Sequence, residues 1–364
     1  MSKMLAYRGF EGDPIPRLVE MDIPAVGERD VLVRIKSAGL TMGTFNVQKA
    51  GNLKPMPMTL GHEGAGVVEM VGADVRSVKP GDRVRIHPTL SCGQCRHCLT
   101  GRDQMCWGSA MMGFVSFGAT VPEYARYHDG FIAEYALAPE RQIDVLPAHV
   151  SFDAGAKLHY VGNALRNLRV ADLPPASVLA ILGATGSMGV ATIKVAATFG
   201  VTRLVLVGRS SQRLEEVKAL TDLPVDMVAT DTLGETWAET GALARRLAEV
   251  APTGVDAMID YLTDGGPFVQ AANAIATGGT LVNMGGGQQP FGLPIRALVG
   301  KCLKLVGTRN HSRFDAKEAL RLINNGTLSI EELITHRRPL REVEAAVATL
   351  NARSETLWMS VVNP

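Results

Sequence analysis

The sequence predicts an α/β protein in two parts, a β-rich, barrel-like domain followed by a doubly wound domain with a parallel sheet. Three observations carry this. At 364 residues the chain is longer than one hydrophobic core ordinarily serves. Up to about residue 155, short β-rich runs alternate with Gly and Pro punctuation, the pattern of many short strands. Beyond it, apolar runs of strand length alternate with segments of helical period, the signature of strands joined by crossover helices.

The elements follow in order. VLVRIKSAG (31–39), GAGVVEMVG (64–72), PGDRVRIHP (80–88) and FIAEYALAP (131–139) read as strands of the first domain. In the second, Ser177–Leu182 is an apolar strand leading into a glycine turn, and 188–199 has apolar residues at helical spacing. Residues 203–207, Val225–Ala229, Val255–Asp260 and 280–284 continue the strands, and a polar helix opens at Ser211. The tail mixes amphipathic helices (315–323, 341–350) with a last strand at 357–362. An apolar run at 303–306 suits either an interior strand or pairing across a two-fold axis.

Composition narrows the function class. A net charge of +1 and a hydrophobic fraction of 46% describe a soluble globular protein. No basic stretch reads as a nucleic-acid surface, so no nucleic-acid partner is expected. The longest apolar run, 201–207, contains Arg203 and is far too short to span a bilayer, so no membrane partner is expected. The start, MSKMLAYRGFEGDP, lacks an apolar leader, and a cytoplasmic, reducing location is expected.

Four of the five cysteines fall in one loop, SCGQCRHCLTGRDQMC, with Cys92, Cys95, Cys98 and Cys106 spaced C-x2-C-x2-C-x7-C. Four local thiolates can supply all the ligands of a tetrahedral zinc, and a closed four-ligand site stabilises a lobe rather than doing chemistry. Two disulfides are the alternative, suited to a small secreted scaffold.

The turn Gly183-Ala184-Thr185-Gly186-Ser187-Met188-Gly189 joins a strand to a helix. Glycines there permit a tight turn and close approach of a pyrophosphate, whose charge faces the helix N-terminus. The spacing G-x-x-G-x-x-G departs by one residue from the commonest dinucleotide fingerprint. At the end of the next strand, where NAD sites place a carboxylate for the ribose, the chain has Val207-Gly208-Arg209-Ser210-Ser211. Arg209 can pair with a 2′-phosphate, Ser210 can donate to it and Arg213 can assist, which favours NADP over NAD. The alternative is that Arg209 only stacks on adenine.

These pieces, together with Gly61-His62-Glu63-Gly64-Ala65-Gly66-Val67-Val68, VGADVRSVKPGDRV (71–84), GVDAMIDYL and GGTLVNMGGG, resemble the medium-chain dehydrogenase/reductase superfamily, in particular its zinc-containing alcohol dehydrogenases. The resemblance covers nearly the whole chain in order. It implies a GroES-like catalytic domain (1–155, zinc lobe at about 91–107), a Rossmann cofactor-binding domain (156–300), and a tail (301–364) that completes the sheet and returns to the catalytic domain. It also implies hydride transfer between a nicotinamide and a small-molecule alcohol or carbonyl, and a homodimer or homotetramer.

The resemblance implies a catalytic zinc too, held by a cysteine after an Ala-Gly pair, the histidine of the GHE motif and a residue just before the Rossmann domain. His62 fills the second place, with Glu63 beside it, and His159 in LHYVGNAL fills the third. The cysteine is missing: Thr41 or Met42 stands there, depending on the direction of counting, and neither is a good zinc ligand. In one reading His62, His159 and Glu63 hold a weaker zinc. In the other, which we favour, only the structural zinc remains, His62 or His159 near its ordinary pKa donates the proton, and Thr44 or Thr41 relays it.

Trp107, Met111, Met112, Phe114, Phe117, Tyr124 and Tyr127 make the stretch after the cysteines apolar. If it reaches the site, the substrate is bulky and apolar or aromatic; ordinary packing is the alternative. The expected enzyme is an NADP-dependent alcohol dehydrogenase or carbonyl reductase. The alternatives are a zinc-independent enone reductase and a non-catalytic NADPH-binding protein.

Overall fold

A computed structural model of the chain describes residues 2–118, 121–263, 265–287, 292–352 and 355–364. It divides into two compact units, Met1–His159 with His311–Pro364, and Tyr160–Asn310.

The first unit is built on the strand Asp30–Leu40, whose apolar alternation buries Val31, Val33, Ile35 and Ala38 while Arg34 points to solvent. It pairs antiparallel with Gly64–Val71, Tyr135–Pro139 and Met359–Asn363. The sheet continues through Arg83–Ile86 to Ile143–Val145 on one side and through Ile334–Pro339 on the other. A three-stranded sheet, Asp13–Asp22, Lys3–Phe10 and Met58–Thr59, completes the β-rich part. Gly66 has a local reason: a Cβ there would lie 2.9 Å from the Arg34 carbonyl carbon and the Ile35 Cα, so only glycine lets the strands approach.

In the second unit the six strands among the described residues run parallel, in the order Val225–Ala229, Val201–Gly208, Ser177–Leu182, Val255–Asp260, Ile275–Asn283, Lys304–Gly307. This is the doubly wound order, reversing direction beside Ser177–Leu182. The strands read as apolar runs because helices cover them; Leu179, Ala180, Ile181 and Leu182 have no exposed surface. The apolar run near 303–306 is the edge strand, and its Leu305 is 42% exposed.

Element types follow the sequence pattern, and the ends differ. The helix expected over 188–199 is Ser187–Ala196 closed by a 3-10 turn, Ala197–Phe199, and the strand expected over 280–284 begins earlier, at Ile275. The helix of the tail starts at Arg313 because Ser312 and Asp315 form a reciprocal capping box.

Phe131 is fully buried in the core of the first unit, against Gly64. Phe131→Ala should lower stability by about 3–5 kcal/mol through lost burial and a cavity, read as a fall in the urea midpoint.

Candidate active site and zinc lobe

The strand Asp30–Leu40 ends beside the GHE turn: the Gly39 N–H donates to the Glu63 carbonyl (2.8 Å). The chain then turns into the helix Met42–Lys49, which carries Thr44, while Thr41 is its N-cap. The Thr41 and Thr44 hydroxyls share a hydrogen bond of 2.8 Å, and Thr44 Oγ1 lies 3.2 Å from His62 Nδ1. All three side chains are buried. The His62 ring packs at 4.8 Å from that of His159, near the start of the long helix Phe152–Ala171. On its other flank, Phe114 lies at 5.0 Å.

Behind His62 lies an ion pair. Lys157 Nζ is 2.7 Å from Glu63 Oε2 and donates to the Leu40 carbonyl at 3.1 Å, and neither charged side chain has exposed surface. Glu63 Oε1 is buried without a hydrogen-bond partner. One ligand atom each from His62, Glu63 and His159 lies within 4.8 Å of the others.

The imidazoles form a longer row. His159 packs at 4.7 Å from His311, and His311 at 5.1 Å from His87. His87 Nδ1 meets the Arg85 guanidinium at 3.2 Å, and its Nε2 stands 3.9 Å from Asp103. All four histidines are buried. Burial first, then the Lys157 charge, pushes His62 down to about 3. Burial, reinforced by neighbouring histidines and cations, holds His159, His311 and His87 well below the ordinary range. The expectation of a histidine near its ordinary pKa is therefore corrected: these rings are neutral because the desolvated site penalises the imidazolium.

In the lobe, Cys92, Cys95, Cys98 and Cys106 bring their Sγ atoms within 4.8 Å of one another, and none is in a disulfide. Cys98 Sγ lies 3.6 Å from Cys95 Sγ and 3.9 Å from Cys92 Sγ. A tetrahedron with zinc–sulfur bonds of about 2.3 Å has edges of roughly 3.8 Å, so the spacing fits zinc. Backbone N–H groups lower the Cys92 and Cys95 thiols, Cys95 to about 6 chiefly through the Cys98 N–H, while burial raises Cys98 and Cys106, so the last two need a bound cation to ionise. Trp107 is 63% exposed on this lobe against His97 and Arg96, while Tyr124 and Tyr127 are buried and bond the Lys54 carbonyl and Asp30. Of the apolar stretch, Phe114 is in ring contact with His62.

In the second unit, Gly183 sits at φ +76, and Gly186 is the N-cap of Ser187–Ala196. A Cβ at Gly189 would lie 2.5 Å from the Gly183 and Ala184 carbonyls, so the turn closes only on glycine. Thr185 and Met188, half-buried, flank the turn, and the Thr185 methyl lies near Gly208 at the end of Val201–Gly208. Arg209 is exposed. Ser210 Oγ caps the helix Ser211–Lys218 by accepting the Arg213 N–H. Asp231, after the neighbouring strand, accepts the Ser211 N–H (2.9 Å) and hydroxyl (3.2 Å).

Two family models match, an alcohol dehydrogenase GroES-like domain over residues 27–148 and a zinc-binding dehydrogenase over 187–325. The probable D-xylulose reductase A of Aspergillus terreus is 30% identical over 94% of this chain and 92% of its own length. The chain belongs to the zinc-type alcohol dehydrogenase family of medium-chain dehydrogenases. Among solved structures, a zinc-binding dehydrogenase of Sinorhizobium meliloti bound to NADP superposes with a TM-score of 0.86 at 23% identity, covering all of both chains. A cobalt- and zinc-bound thermostable alcohol dehydrogenase of Pyrobaculum aerophilum gives 0.83 at 26% identity, again over all of both chains. This member of the family is an oxidoreductase acting on CH–OH groups of small molecules, with a nicotinamide cofactor and zinc. Among the described residues no helix is long and apolar enough to cross a membrane.

The glycine turn at the start of a ten-residue helix fits a dinucleotide pyrophosphate. The four thiolates fit one zinc. The histidine centre fits the family's second zinc poorly. Thr41 spends its hydroxyl on Thr44 where a thiolate is expected, and Glu63 is already neutralised by Lys157. The unpartnered Glu63 Oε1 favours a cation, but the Lys157 ammonium, 2.7 Å from Glu63 Oε2, repels a dication bound to the same carboxylate. With two neutral imidazoles, the donor set and its lysine carry no net charge.

Sequence reasoning missed Lys157, His311, His87, Asp103 and Asp231. Lys157 alone left a signal, a charge among the apolar residues Ala154, Ala156, Leu158 and Val161 of a helix.

Cys95→Ser should release the lobe's zinc and lower the melting midpoint. Each ~1 kcal/mol lost lowers the midpoint of a unit this size by roughly 2–4 °C, and calorimetry with metal analysis checks both outcomes.

Proposed function

We propose that this enzyme is an NADP-preferring alcohol dehydrogenase or carbonyl reductase for apolar, aromatic substrates, and that it works without a catalytic zinc. The observation that carries this is the hydrogen-bonded series Thr41–Thr44–His62 at the place where the family's thiolate would stand. Bound nicotinamide supplies the hydride for carbonyl reduction and takes it back in alcohol oxidation.

The protein's own residues handle the oxygen. As charge grows on a carbonyl oxygen, the Thr44 hydroxyl, held in line by His62, passes its proton to it and is reprotonated through Thr41 with solvent water as the proton source, and in oxidation the proton leaves by the reverse route. Neutral His62 acts as a hydrogen-bonding partner of Thr44 rather than as an imidazolium acid. In oxidation the same hydroxyl accepts from the alcohol. Phe114 supplies an apolar wall beside His62, which suits a flat aromatic substrate better than a polyol. Gly183, Thr185, Gly186, Ser187 and Met188 cradle the pyrophosphate, and Gly208, Arg209, Ser210 and Arg213 receive the 2′-phosphate. The capping role of Ser210 leaves its hydroxyl proton available to donate, and Asp231 is occupied by Ser211.

The same hydroxyl donor would protonate an enolate, which favours enone reduction as the second reading. Product analysis with an aromatic enone separates allylic alcohol from saturated ketone.

The decisive test is zinc content with chelator challenge during reduction of an aromatic ketone. One tightly held zinc and undiminished activity are expected; a second, removable zinc lost together with activity would overturn the metal-free reading. Thr44→Val should lower kcat by about 100-fold, the scale of one positioned proton donor, with Thr44→Ser restoring most of it. Arg209→Ala should raise KM for NADPH by roughly tenfold, the worth of one charge-assisted contact, and leave KM for NADH nearly unchanged.

A further inference from the structure

Lys157 is a buried lysine to which the proposed proton transfer assigns no step. Its ammonium is 2.7 Å from Glu63 Oε2 and 3.1 Å from the Leu40 carbonyl, with no exposed surface. A Cβ on Gly39 would lie 2.8 Å from both Lys157 Nζ and Glu63 Cβ, so the ion pair is packed directly against the strand end that leads to Thr41. Glu63 Oε1 has no hydrogen-bond partner, and one ligand atom each of Glu63, His62 and His159 lies within 4.8 Å of the others. Two imidazoles and one carboxylate are the donors of a divalent-metal site.

We propose that Lys157 closes this centre to metal, and that replacing its charge opens a second divalent-cation site on His62, Glu63 and His159. The inference rests on the metal-free reading above and supplies its physical cause. With the ammonium in place the donors and lysine sum to zero charge, whereas without it the carboxylate's negative charge is left for a cation. Lysine also holds Glu63 by Oε2, so removing it frees both oxygens.

The test uses the full chain with its lobe zinc. Wild type and Lys157→Gln are equilibrated with Co2+ and Zn2+, and metal per chain is measured together with the cobalt spectrum. Wild type should hold one metal and Lys157→Gln two. The second cobalt should add ligand-field bands without the thiolate charge-transfer band of the cysteine lobe. Glu63→Gln on the Lys157→Gln background should return the count to one. Lys157→Met, of similar length, serves as the second variant should the glutamine disturb folding, which retention of the lobe metal reports. A single metal in both lysine variants overturns the proposal and leaves the metal-free reading standing. Two metals in wild type overturn both. A second metal that survives Glu63→Gln places it elsewhere and also overturns the proposal.

Discussion

The buried pair Lys157–Glu63 is the interaction on which the rest of the centre depends. It joins three separate pieces of chain: the helix Phe152–Ala171, the GHE turn and the end of the strand Asp30–Leu40. Burying two charges is costly, and removing one partner from such a pair typically costs about 3–5 kcal/mol. Here the cost is offset by a short contact and a second acceptor, the Leu40 carbonyl. The pair also dictates sequence at a distance, because its packing leaves no room for a side chain at Gly39. The Ala-Gly step before Thr41 is thus a packing demand of an ion pair contributed by residues 24 and more positions away in sequence.

From the pair follows the neutrality of the histidines. A fixed ammonium and full burial both oppose an imidazolium, so the charge near the site resides in Lys157, Arg85 and Glu63 rather than in the rings. The row His62, His159, His311, His87 then works as a packed wall of polar rings. Its far end meets the zinc lobe: Asp103 accepts the Arg313 N–H at 3.0 Å, two residues from His311, and lies 3.9 Å from His87. A zinc that orders the cysteine loop thereby also fixes the position of Asp103, and through it the seat of His311. The cysteine loop and the histidine centre are thus linked by the contacts of Asp103, and a zinc in the loop would share no ligand with the histidines.

Much of this was legible in sequence wherever a period or a spacing encodes the structure. Ser177–Leu182 is a nearly unbroken apolar run because both faces of a parallel sheet are covered, and Val225–Ala229 and Val255–Asp260 keep that pattern apart from Asp226, Asp256 and Asp260. The cysteine spacing likewise states its own geometry. What escaped was contact between residues distant in the chain. Nothing near His311 in TRNHSRF marks it as a neighbour of His159, and nothing near Glu63 names Lys157 as its partner. The pKa assumed for His62 failed for the same reason, since desolvation is a property of the assembled site and not of the motif. Asp231 escaped because it belongs to a different βα turn from Arg209, and only sheet order makes them neighbours.

The relative at 30% identity is named for a sugar ketone, whereas the substrate proposed for this chain is apolar, and the difference lies in what the polar groups already do. A polyol brings several hydroxyls that must each find a partner once desolvated, at a cost of about 1–3 kcal/mol for every one left unmet. Around His62 the Thr41 hydroxyl is bonded to Thr44, Glu63 Oε2 is paired with Lys157, and one flank is the ring of Phe114. In the mechanism proposed above the Thr44 hydroxyl, bonded to Thr41 and His62, is the donor that meets the substrate oxygen. Such a donor beside an aromatic wall would suit the substrate proposed above, with a polar atom at the reacting carbon and an apolar body beyond it.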